Sequence, residues 1–120
     1  MLYNSGIPLV PGTDDMAGMV LHSELEAWVT AGLPSSAVLS MATLGGARFL
    51  GLDGLQGTVE VGKTADLYLV DGDPTQDIGA IRKGRLVVKG GNVYYPDEIH
   101  DALGVKPFAP HAALRPPATR

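Results

Sequence analysis

Hydrophobic positions change their period once along this chain, and the change divides it. Val20, Leu21, Leu25, Trp28 and Val29 recur at helical spacing with His22, Ser23, Glu24 and Glu26 between them, so residues 20–31 read as an amphipathic helix. Gly32 stops it. Pro34-Ser35-Ser36 supplies a break and a capping hydroxyl for a second helix through Ala37, Val38, Met41, Ala42, Leu44 and Ala47, ending near Leu50-Gly51. Ahead of both, Ile7-Pro8-Leu9-Val10 is a four-residue apolar run bounded by Gly6 and Pro11-Gly12, the pattern of a short buried strand.

Beyond Gly51 the period falls from 3.6 to 2. Thr58-Val59-Glu60-Val61 alternates between Gly57 and Gly62, Leu67-Tyr68-Leu69-Val70 precedes Asp71-Gly72-Asp73-Pro74, and Leu86-Val87-Val88-Lys89 runs through Gly90-Gly91 into Asn92-Val93-Tyr94-Tyr95. All of these read as strands, and Gly90-Gly91 is the strongest hairpin signal. Glu98 to Leu103 suits a short helix, and a tail carrying Pro107, Pro110, Pro116 and Pro117 suits an extended strap.

Composition narrows the picture. The 120 residues are 45% hydrophobic and 18% charged, a globular balance with room for one ordinary domain. With 16 Gly and 9 Pro, roughly a fifth of the chain against an average near 12%, short elements and turns are favoured over a helical bundle. A formal charge of −4 and no basic run argue against a nucleic-acid partner. No long apolar run or basic-then-apolar leader is read, so the expectation is a soluble product with no membrane partner, and a cytoplasmic location is favoured. With no cysteine there is no disulfide, thiolate metal site or thiol nucleophile.

Few residues carry candidate chemistry. Gly57 to Thr64 fits the phosphate-loop pattern of Gly, four residues, Gly-Lys-Thr, but that loop works only between a strand and a helix. Here the intervening residues read as strand, so no helix should begin at Lys63. Asp14 and Asp15 follow the first strand, where an α/β barrel keeps its active-site loops, though aspartates there also serve as turn or helix-capping residues. His22 and Glu24 could join a metal cluster, yet a spacing of two puts them on different helix faces and suits solvated residues better. His100 and His111 have no partner at ligand spacing and are assigned no site. Arg48, Arg82 and Arg85 are available to pair with carboxylates.

The order of residues resembles a family. Gly6 to Asp14 resembles the last barrel strand of the metal-dependent amidohydrolase superfamily, in the branch that includes imidazolonepropionase-like and Xaa-Pro dipeptidase-like enzymes. Leu21-His22-Ser23-Glu24-Leu25 through Leu50-Gly51 is similar to its last barrel helices, and Gly57 to Pro74, with its Gly-Lys-Thr-Ala-Asp-Leu run, to its return into a small β-sandwich. Val87-Val88-Lys89-Gly90-Gly91 looks like that domain's closing strand.

The resemblance implies α/β plus β architecture. Residues 1–51 would be the last strand and helices of a TIM-like (β/α)8 barrel, 52–95 strands of the accessory sandwich, and 96–120 a Pro-rich tail, together a fragment of a larger fold. It implies that Asp14 is a divalent-metal ligand, zinc foremost, and the general base that takes a proton from the attacking water and passes it to the leaving nitrogen. Asp15 would line the substrate pocket or cap the helix. The family's His-x-His pair, its bridging residue and its two later histidines are not in this sequence. A catalytic zinc generally takes three protein ligands, so the isolated chain should be inactive. The complete enzyme would cleave a C–N bond in a small amide, lactam or dipeptide-like substrate, with the remainder of the barrel as partner and a homo-oligomer as a plausible assembly. Two alternatives stand beside it: a deaminase of a cyclic amidine or aminopyrimidine on the same fold, and a non-enzymatic β-rich assembly module.

Overall fold

The computed structural model describes residues 2–14 and 20–113. Helix α1 spans Val20–Thr30 and buries Leu25. It ends where Gly32, at φ +100°, takes the left-handed conformation. Helix α2, Ser35–Ser40, runs through a π-helical turn at Met41–Gly45 into α3, Gly46–Phe49. The sequence's second helix is therefore one continuous rod with a wide turn in its middle. Its N-cap is Pro34, with no side-chain capping bond, so the capping hydroxyl read at Ser35 or Ser36 is not used. The Pro34 carbonyl instead accepts from the Ala37 and Val38 amides, both at 3.0 Å.

Three antiparallel strands follow in the order β1 (Leu67–Val70), β2 (Gly84–Lys89), β3 (Asn92–Tyr94). Tyr68 faces Val87 and Val88 faces Val93 across the ladders, with an irregularity between Leu69 and Val70. Gly90 and Gly91, at φ +54° and +84°, make the β2–β3 turn, which needs positive φ at both central positions. Asp66, just before β1, pins it: one carboxylate oxygen accepts from the Gly90 amide at 2.8 Å and the other pairs with Lys89. Between β1 and β2 a 3₁₀ turn, Ile78–Arg82, is capped by Asp77, whose side chain accepts from the Gly79 amide. Helix α4, Pro96–Ala102, starts two residues earlier than expected because Pro96 stands at its first turn.

The core joins the two halves. Leu25, Leu33 and Val38 from the helices meet Ile78 and Ile81 from the 3₁₀ turn, and Val38 is fully enclosed.

Two expected strands are not formed. Ile7 to Val10 takes no regular structure and makes no ladder, and Ile7 and Val10 are exposed while Leu9 packs on the helical core. A strand exists only with a neighbour to pair with, and no described strand lies beside this run. Residues 58–61 are irregular too, with Val59 at 85% exposure, so their alternation reflects no buried face. That loop is closed by the Thr64 amide on the Leu55 carbonyl, 2.8 Å, and seated by Gly57. A Cβ at Gly57 would fall 2.7 Å from the Ala47 Cβ, at a φ of +97°.

Candidate functional site

The residues with candidate chemistry do not gather into a metal-binding cluster among the described residues, although His22, Arg82 and His100 share one cleft. Asp14 ends the segment that Leu9 anchors; it is exposed and has φ +46°, a left-handed conformation rare outside glycine, asparagine and aspartate. Asp15 lies outside the described residues.

His22 and Glu24 do take different directions on α1. Glu24 accepts a hydrogen bond from the Trp28 indole at 2.8 Å, one turn on. His22 is partly buried, its ring 6.4 Å from that of Tyr68 on β1. Burial, and then the charge of Arg82, pushes its pKa below the ordinary histidine value of 6.5.

Lys63 settles the phosphate-loop pattern. No helix starts there, and its ammonium donates to the Asp53 carbonyl at 2.8 Å and to the Thr58 hydroxyl. Its charge is spent on holding its own loop together rather than facing a helix N-terminus.

Arg48, Arg82 and Arg85 each find a carboxylate. Arg82 grips Glu26 with two parallel hydrogen bonds of 2.6 and 2.8 Å and also donates to the Ser23 hydroxyl at 2.9 Å. This fork ties α1 to the end of the 3₁₀ turn, and those hydrogen bonds hold the Glu26 carboxyl below the usual carboxylate range. Arg85 pairs with Asp71 at 2.9 Å and donates to the His111 carbonyl at 3.2 Å. Arg48 stands 3.9 Å from Asp53, both largely exposed.

The model of the amidohydrolase family matches residues 1–94. The chain belongs to the amidohydrolase family. Among curated amidohydrolase relatives, 5-methylthioadenosine/S-adenosylhomocysteine deaminase of Moorella thermoacetica is 39% identical over 79 residues, which is 56% of this chain and 18% of that protein. The deaminase of the same name from Desulforudis audaxviator is 62% identical over 37 residues, 31% of this chain and 9% of that protein.

Solved structures agree. A Xaa-Pro dipeptidase with bound methionine in its active site superposes with a TM-score of 0.73 at 30% identity, covering 78% of this chain and 23% of that one. Molinate hydrolase superposes at 0.69 and 25% identity over 98% of this chain and 28% of its own. The chain thus spans less than a fifth of the curated relatives and about a quarter of the solved ones.

Amidohydrolases are generally metal-dependent, so the donor set of this chain bears on what it can hold. Among the described residues no three His, Asp or Glu side chains gather as metal ligands would. Asp14 supplies carboxylate chemistry suited to a divalent cation, but one carboxylate falls short of the three protein ligands of a catalytic zinc. The described residues by themselves build no such site.

One feature of the structure had no signal in the sequence. His22, Tyr68, Arg82 and Val87 line a cleft together with His100 of α4 and Phe108 of the strap. The histidines are 78 positions apart, and spacing alone gave no reason to join them.

Proposed function

We propose that this chain is the C-terminal part of a metal-dependent hydrolase that cleaves a C–N bond in a small amide, lactam or dipeptide-like molecule. The observation that carries the reading is the family match over residues 1–94, which includes Gly12-Thr13-Asp14. In this reading residues 1–51 complete a (β/α)8 barrel, 52–95 contribute strands to an accessory β-sandwich, and 96–120 form a tail. The exposed, unladdered Ile7–Val10 run then takes its place beside a strand from the remainder of the barrel.

A divalent cation, zinc first, would supply the acidification of the attacking water. Asp14 would help to hold that cation, and its carboxylate would carry the proton of the attacking water to the departing nitrogen. A carboxylate so placed moves a proton over a short path, which is worth about 10²–10⁴ in rate. The chain alone would lack the remaining ligands and be inactive.

A deaminase on the same fold is the second reading, favoured by the names of the curated relatives. It uses the same proton transfer with ammonia as the leaving group. Asp14→Asn in the complete enzyme decides the role of the aspartate: kcat should fall by at least about a hundredfold with the fold intact. Turnover within a few-fold of the parent would refute it. Assaying the parent on an N-acyl amino acid and on an aminopurine nucleoside separates the two readings.

A further inference from the structure

The cleft between α1, the sheet and α4 lies between two parts that are held with unequal strength. His22, Tyr68 and Arg82 belong to the part of the chain that matches the family, whereas Ile99, His100 and Phe108 lie beyond residue 94. The family-matched walls are locked together: Leu25 of α1 meets Ile78 and Ile81 in the core, and Arg82 grips Glu26. The added wall is attached more lightly. Among the described residues, none from 95–113 belongs to the core around Val38. A hydrogen bond of 3.2 Å from Arg85 to the His111 carbonyl links this wall to the body, beside the packing of α4 on β2.

The added wall is braced within itself. His111 Nδ1 meets the Asp97 carboxylate at 2.8 Å, and the His111 ring stacks on Tyr95 with centroids 4.5 Å apart. These contacts tie the far end of the strap to the start of α4, so the two can leave the body together. The core stays whole when they do.

Closed, the joint suits its two imidazoles poorly. His22 is partly buried between Tyr68 of β1 and Arg82 of the 3₁₀ turn, and His100 of α4 is near enough for the two rings to oppose each other's charge. Glu26, on the next turn of α1, favours a charged His22, but its carboxylate is engaged by both Arg82 bonds. Burial and then Arg82 outweigh it, which lowers the His22 pKa. His100 Nδ1 is shut off from solvent without a hydrogen-bond partner, so closure leaves a polar atom unsatisfied that opening returns to water.

We propose that α4 and the strap, residues 96–113, form an acid-released clasp, which swings off α1 and the sheet when His22 takes up a proton. The charged ring needs water, and the clasp is the wall that can yield to admit it. The closed form disfavours the imidazolium, so closure is favoured above the ordinary histidine value of 6.5 and fades as pH falls below it. Once released, the seven-residue α4 is too short to persist as a helix.

Hydrogen exchange of the 120-residue chain, read by mass spectrometry, tests this. Protection relative to an unfolded chain is compared at about pH 7.5 and about pH 5.5, which bracket the histidine range and stay above the carboxylate one. Residues 96–105 should be protected at the higher pH and lose protection at the lower, while α1 and β2 keep theirs. His22→Gln should remove that loss. His111→Gln, which breaks the internal brace, should lower protection at both values and keep the loss on acidification. The His22 ring, titrated by NMR in the parent, should share its midpoint with the release. Equal protection of 96–105 at both pH values would overturn the clasp, as would none at the higher one. So would a loss that spreads to α1 and β2, one that persists in His22→Gln or vanishes in His111→Gln, or a His22 midpoint apart from that of the release.

Discussion

Arg82 ties helix α1 to the 3₁₀ turn through its side chain. Its fork on Glu26 and its bond to Ser23 span more than fifty positions of sequence, and both partners of the pair are less than a third exposed. Arg82→Ala should cost about 1–2 kcal/mol, read as a lower denaturant midpoint with unchanged slope. Arg82→Lys recovers little, because an ammonium cannot make the two parallel bonds. The same pair sets an acid limit. Glu26 holds its proton less tightly folded than unfolded, so its contribution is present above the ordinary carboxylate value of 4.5 and is lost as pH falls through the lowered one. His22, also lowered, contributes stability above 6.5 that fades as pH falls. The melting temperature should therefore decline in two stages on acidification, and Arg82→Ala should flatten the lower one. Nothing in the sequence singled out Arg82 from Arg48 and Arg85, because a pairing across 56 positions depends on the tertiary fold.

At the scale of elements, legibility followed locality. The β2–β3 hairpin was readable because its turn chemistry is contained in Gly90-Gly91, and α1 because its apolar stripe and terminating Gly32 are contiguous. Gly91→Val should therefore lower stability by more than 1 kcal/mol, about the cost of forcing a β-branched residue to positive φ, which thermal denaturation measures. The runs at 7–10 and 58–61 looked like strands for the same local reason and are not, since pairing is supplied by a neighbour and not by the segment itself. Gly84 shows a constraint of the opposite kind. Its missing Cβ leaves the space that the Tyr68 ring occupies, 2.7 Å from where that atom would stand, so the glycine that opens β2 is a seat for an aromatic side chain.

For the whole molecule, a single core built from Leu25, Leu33, Val38, Ile78 and Ile81 binds the helical and sheet halves, so the two pieces read from the change of period fold on each other. The sheet remains thinly covered: Leu67 and Leu69 on β1 and Val93 on β3 are exposed, as is Ile7 in the segment ahead of α1. Apolar surface left open in this way, in a chain spanning about a quarter of its solved relatives, accords with a part that packs against more polypeptide. The family was legible in the sequence because its motifs are contiguous runs, from Gly12-Thr13-Asp14 to Gly62-Lys63-Thr64-Ala65-Asp66-Leu67. No metal centre was legible, since among the described residues no three His, Asp or Glu side chains gather. The most direct test is the metal affinity of the complete protein, measured by competition with a chelator for the parent and for Asp14→Ala. If Asp14 supplies a ligand, Asp14→Ala should bind zinc at least about tenfold more weakly while its circular dichroism is unchanged. Equal affinity in a folded variant would contradict the account.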